Sequence, residues 1–88
     1  MRGPRQRASP RLRPLVVSLG SHVVLEDLDE HGWEEYVLVA PAESNVDEGR
    51  LSSESPVGRA ISGHCKGEIV DAHAPRRIRR LRITDLHA

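Results

Sequence analysis

Apolar and polar residues alternate along most of the chain beyond residue 15. In His22-Val23-Val24-Leu25-Glu26-Asp27-Leu28, Val23, Leu25 and Asp27 fall on one face and His22, Val24 and Glu26 on the other, the period of a strand. Asp29-Glu30-His31-Gly32 is a turn cluster, and Trp33-Glu34-Glu35-Tyr36-Val37-Leu38-Val39 reads as the returning strand of a hairpin. Tyr36 and Leu38 share one face and Val37 and Val39 the other, so this strand is expected to be partly buried on both sides near its end. Arg50-Leu51-Ser52 reads as a short strand and Glu68 to Ala72 as another. After a turn at residues 73–77, Ile78 to Leu86 reads as the last. In that last strand Leu81 and Ile83 alternate with Arg80, Arg82 and Thr84. Ile78 is out of phase with them, which predicts a bulge near Arg79-Arg80.

One stretch departs from this period. Ser55-Pro56-Val57-Gly58-Arg59-Ala60-Ile61-Ser62-Gly63 puts Val57, Ala60 and Ile61 at i, i+3 and i+4, a narrow apolar stripe of about two helical turns. Ser55 is an N-cap, Pro56 suits the first helical position, and Gly63 is a left-handed stop. A helix this short is not stable alone and has to lie on the sheet. Between the second and third strands, Ala40 to Gly49 forms a polar, acidic loop whose one sizeable apolar residue is Val46. Loops of this length in compact domains are often binding elements, although a solvated connection is the alternative. The element order, β-β-loop-β-α-β-β, predicts an α+β domain: an antiparallel sheet of about five strands with one short helix packed across it.

The totals tighten this reading. Eighty-eight residues allow one small domain. With Trp33 and Tyr36 as the two aromatics and no Phe, the core has to come from Val, Leu and Ile. Cys65, the single cysteine, excludes an internal disulfide framework and suits a reducing compartment. No apolar run approaches the roughly 20 residues of a membrane span, and residues 1–14 have no apolar segment of a secretory signal. The expected setting is the cytoplasm.

The formal net charge of zero conceals three blocks. Residues 1–14 carry five Arg and no acid, residues 15–54 carry ten acids against Arg50 alone, and residues 55–88 carry seven bases against three acids, so +5, −9 and +4 sum to zero. The first block also holds Pro4, Pro10 and Pro14, which with five like charges oppose helix and strand. It is expected to be a disordered basic arm, 1–14, ahead of a domain spanning 15–88. It reads either as an uninformative leader, even a mis-assigned start, or as an electrostatic arm. The Arg76, Arg77, Arg79, Arg80 and Arg82 run also has two readings. It is a solvated strip that balances the acidic hairpin, or a contact for nucleic-acid phosphate or an acidic protein surface. With no aromatic among the arginines, recognition by base stacking is not expected.

No enzyme chemistry stands out. His22, His31, His64, His73 and His87 show no i, i+4 pair, and Cys65 has no second thiolate, so no metal site is expected. Phosphate-loop spacings are absent, and Ser55 is accounted for as a cap, with no base placed beside it. No cofactor is implied.

Taken together, Leu19-Gly20-Ser21-His22-Val23-Val24-Leu25, Glu34-Glu35-Tyr36-Val37-Leu38-Val39, Leu51-Ser52, Ser55 to Gly63 and Gly67-Glu68-Ile69-Val70 resemble the C-terminal domain of the Gre transcript-cleavage factors. The same domain occurs in the nucleoside diphosphate kinase regulator Rnk. The resemblance runs from Val16 to Leu86. It implies an FKBP-like α+β fold and docking on RNA polymerase at the rim of the secondary channel, through the loop after the second strand and the start of the helix. Carried over by position, the docking residues are Pro41, Glu43, Asn45, Val46, Ser55 and Pro56. Gre factors also carry an N-terminal coiled coil whose acidic tip reaches the polymerase active site and helps hold magnesium. Residues 1–14 cannot form one, so transcript cleavage by this chain alone is not expected. Asn45 stands where an Asp is common, and the Arg-rich last strand is a second departure. FKBP-like folds include prolyl isomerases, but two aromatics in one strand cannot build their aromatic cleft.

The expectation is therefore a non-catalytic RNA polymerase-binding module that modulates transcription elongation. The alternative is a small nucleic-acid-binding protein that uses the basic arm and the last strand. A remnant whose partner supplies the coiled coil is a third reading.

Overall fold

Burial follows the alternation strand by strand in the computed structural model, which describes residues 15–88; the basic arm lies outside the described residues. In β1 (His22–Asp27), Val23, Leu25 and Asp27 are buried. In β2 (Trp33–Val39), Leu38 and Val39 are both buried although they point to opposite faces, as the sequence pattern anticipates. A short β3 (Arg50–Ser52) buries Leu51, β4 (Ile69–His73) buries Val70 and Ala72, and β5 (Ile78–His87) buries Leu81, Ile83 and Leu86.

The helix α1 (Pro56–Ile61) has Ser55 at its N-cap, the Oγ accepting from the Gly58 N–H at 3.1 Å, and Pro56 at its start. Gly63 (φ 81°) turns the chain away after it. Val57 and Ile61 face the sheet. Gly58 is buried because the helix approaches β3 so closely that a Cβ there would overlap the Ser52 carbonyl oxygen. At the other end of the helix, Val17 is buried and exchanges backbone bonds with the next turn. Its N–H donates to the His64 carbonyl and its carbonyl accepts from the Gly63 N–H, both at 2.9 Å.

The sheet order is β3-β2-β1-β5-β4. Neighbours from β2 to β4 are antiparallel, as expected, whereas β3 runs parallel to β2, with Val37, Leu38 and Val39 beside Arg50, Leu51 and Ser52. The intervening loop is the cause. It folds into two 3₁₀ turns, Pro41–Glu43 and Val46–Glu48, that carry the chain back until the Gly49 carbonyl accepts from the Val37 N–H at 2.7 Å. From there the chain can only retrace β2 in the same direction.

The bulge is in β5 but not at Arg79-Arg80. The β4–β5 register runs unbroken through Ala72↔Arg79 and Asp71↔Arg80. The register shifts where Val24 faces Asp85 and Leu25 faces Ile83, leaving Thr84 as the extra residue, its Oγ1 donating to the Val24 carbonyl at 3.1 Å. This resets the phase so that Leu86 joins Leu81 and Ile83 inside. Ile78 needs no bulge because it simply faces out, 50% exposed, and Arg79 takes the inward position.

The core joins Val17, Val23, Leu25, Leu38, Leu51, Val57, Ile61, Val70, Ala72, Leu81, Ile83 and Leu86, with Tyr36 and Ala60 packed at its margin. It is aliphatic throughout. Among the described residues no helix is long and apolar enough to cross a membrane.

Candidate functional site

Three-residue β3 ties the loop to the helix start. On one side, Asn45 and Arg50 exchange backbone hydrogen bonds, both 2.9 Å. On the other, the Ser52 carbonyl accepts from the Ser55 N–H at 3.1 Å and from the Ser55 Oγ at 2.7 Å. The Ser53 N–H donates to the Val39 carbonyl, anchoring the same run to β2. Pro41, Glu43, Asn45 and Val46 on the two 3₁₀ turns are thus linked to Ser55 and Pro56 through a backbone bonded at each step.

Their roles differ. Pro41, Glu43, Val46 and Pro56 are exposed, Val46 at 59%. Asn45 is half-buried and uses its backbone for structure, while among the described residues its side chain makes no hydrogen bond. Ser55 both donates and accepts through its hydroxyl, so it positions the helix and has little capacity left for a partner.

Arg50 is the residue that sequence reasoning passed over. Its Nε donates to the Glu43 carbonyl at 3.1 Å and its guanidinium lies 3.0 Å from Glu48, stapling both 3₁₀ turns to β3. The signal was present: Arg50 is the one base among ten acids in residues 15–54.

The arginine run does not form a single strip. Arg79 points to the inner face, its side chain 18% exposed, and bridges Asp27 at 3.1 Å and Glu34 at 2.6 Å. The Tyr36 hydroxyl donates to the same Glu34 carboxylate. Arg77 meets Glu30 at 3.2 Å and Asp27 at 3.8 Å, and on the outer face Arg82 pairs with Glu26 at 3.5 Å and Arg80 with Asp71 at 4.0 Å. Arg76 is exposed and has no ion pair among the described residues.

Asp27 is the buried centre of this network. Backbone N–H donation from Glu30 holds its carboxyl below the ordinary range, against the opposing effect of burial, with further help from the Asp29 N–H and from Arg79. Burial pushes the Tyr36 phenol up, and the Glu34 carboxylate adds to it. The Cys65 thiol is also raised, by desolvation and by Glu68, which is opposite to what an activated nucleophile needs. Among the described residues no three His, Cys, Asp or Glu side chains are grouped to hold a metal ion.

Two shallow hollows mark the surface. One, of about 300 Å³, lies between α1 and β4 and is lined by Glu54, Pro56, Arg59, Ala60, Asp71 and His73. The other, of about 230 Å³, lies over β2 and is lined by His22, Glu35, Tyr36, Val37, Glu48 and Gly49. Neither brings a nucleophile and a base together. The arrangement can bind, through exposed apolar points on a rigid frame.

Comparison with known proteins agrees with this architecture. The family model for the C-terminal domain of the transcription elongation factors GreA/GreB matches residues 13–88. Transcription elongation factor GreA of Syntrophus aciditrophicus is 34% identical over 71 residues, which are 81% of this chain and 44% of the relative. GreA of Thermomicrobium roseum is 47% identical over 60 residues, 68% of this chain and 37% of the relative. Among solved structures, GreA factor homolog 1 of Thermus thermophilus superposes with a TM-score of 0.73 at 34% identity, covering 88% of this chain and 51% of that one. The chain therefore spans about half the length, or less, of these three relatives.

Proposed function

This chain belongs to the GreA/GreB transcription elongation factor family, corresponding to its C-terminal domain, and on that premise we propose that it is a non-catalytic RNA polymerase-binding module. In this reading it docks near the secondary channel and modulates elongation without itself stimulating transcript cleavage. The observation that carries the reading is the shared frame of the loop and helix start. Pro41, Val46 and Pro56 are exposed, yet β3 and the Arg50 staple fix the backbone beneath them. A surface held in place before binding loses less ordering entropy on association. Charge segregation along the chain steers encounter more than it sets affinity.

The nucleic-acid reading is weaker on this geometry. Arg77, Arg79, Arg80 and Arg82 each already face a carboxylate, and Arg79 is turned inward. Phosphate contact through them would require those pairs to open.

Competition tests the proposal. The purified chain is expected to displace a labelled full-length Gre factor from core RNA polymerase and to suppress the transcript cleavage that factor stimulates. A labelled factor that stays bound and active at saturating concentrations of the chain contradicts it.

A further inference from the structure

Strand β4 ends the sheet, and the hydrogen bonds at its two ends fix which of its backbone groups face outward. The Ile83 N–H donates to the Glu68 carbonyl, and the Ala74 N–H to the Arg77 carbonyl. Because bonding alternates along an antiparallel pair, Val70 and Ala72 direct their N–H and C=O groups at β5. Ile69, Asp71 and His73 direct theirs away from it, and among the described residues no other strand lies on that side. An edge of this kind is a template for another strand.

Beside this edge runs the groove between α1 and β4, with Glu54, Arg59, Asp71 and His73 around Pro56 and Ala60. Among the described residues Glu54, Arg59 and His73 have no ion-pair partner. Asp71 has Arg80 alone, at 4.0 Å with both side chains more than half exposed. Two acids thus stand beside one arginine and one imidazole. A partner of a single charge sign would leave half of them unmatched, whereas a copy of the same surface matches all four.

We propose that a second copy of this chain occupies the edge, its β4 adding antiparallel so that the two five-stranded sheets become one continuous sheet. A two-fold interface has to be complementary to itself. With the axis at Ala72, Asp71 stands opposite His73 of the second copy and His73 opposite its Asp71, and these are the residues whose backbone groups face out. The two helices then lie on the same side of the joined sheet. Pro56 and Ala60 of both copies meet across the axis, and Arg59 comes within reach of the second copy's Glu54. Moving the axis to Asp71 would set two carboxylates directly opposite each other, which disfavours that register.

Sedimentation equilibrium of the full 88-residue chain, between about 1 μM and about 1 mM, tests this. A reversible monomer–dimer equilibrium is expected. Asp71→Pro removes an outward N–H without removing a bond to β5, a change edge strands accept, and it should abolish the dimer while far-UV circular dichroism is unchanged. Arg59→Glu should weaken the dimer by about tenfold or more, and the exchanged pair Glu54→Arg with Arg59→Glu should restore it. Pro56 belongs to both surfaces, and sedimentation reads self-association with no polymerase present, so its outcome is separate from that of polymerase docking. A monomer at every concentration, a dimer that survives Asp71→Pro, or an exchange that restores nothing overturns the proposal.

Discussion

Asp27 shows how one side chain can join distant parts of this fold. It accepts from the Asp29 and Glu30 N–H groups in the β1–β2 turn and meets Arg79 from β5, which also holds Glu34. Without Arg79, Asp27 keeps only its turn N–H groups and the Arg77 contact at 3.8 Å, and Glu34 loses its cation. Arg79→Ala is therefore expected to lower stability by about 2–4 kcal/mol, read from urea unfolding. The same site predicts an acid limb. A carboxyl whose folded pKa is depressed contributes stability that is complete above its unfolded value, near 4, and is lost as pH falls through the folded value. Unfolding midpoints should therefore drop from about pH 4 downward, and Asp27→Asn should flatten that drop. Glu68, held down by His64 and the Cys65 N–H, and Asp85, held down chiefly by His87, act in the same direction from the surface. Strand periodicity alone puts Arg79 in phase with Leu81 and Ile83. Its pairing was not legible because its counter-charges lie 52 and 45 residues away in sequence, and no local spacing points to them.

At the scale of elements, the parts governed by local chemistry were readable and those governed by packing were not. The Ser55 cap, Pro56 at the helix start and Gly63 as its stop follow from short-range rules, and the structure shows all three. Ser55→Ala is expected to cost about 1 kcal/mol, since it removes both the cap bond and the bond to Ser52. Gly58 carries no such signal. It is required by how closely α1 lies on β3, a tertiary fact. Gly58→Ala, favourable in an isolated helix, should here destabilise by about 1–3 kcal/mol because the Ser52 and Ser53 backbone has to shift. The parallel pairing of β3 was hidden for a similar reason. A ten-residue loop of this composition does not announce two 3₁₀ turns that reverse it. The bulge at Thr84 was masked by the polar run Thr84-Asp85, which conceals the change of phase between Ile83 and Leu86.

For the molecule as a whole, charge segregation in sequence becomes cross-strand pairing in space. The acids of residues 26–34 face the bases of residues 77–82, which accounts for most of the arginine run. The exposed residues Pro41, Val46 and Pro56, with half-buried Asn45 among them, take no part in these pairs, and the account rests on that surface docking to RNA polymerase. The most direct test is equilibrium binding of the purified chain to core RNA polymerase, at two salt concentrations, beside the double variant Asn45→Ala, Pro56→Ala. The account predicts saturable binding with a shallow salt dependence, weakened about tenfold or more in the variant. No binding at tens of micromolar, or equal binding by the variant, contradicts it. A loss of nearly one log unit per log of salt for each phosphate contact would point to the nucleic-acid reading in its place.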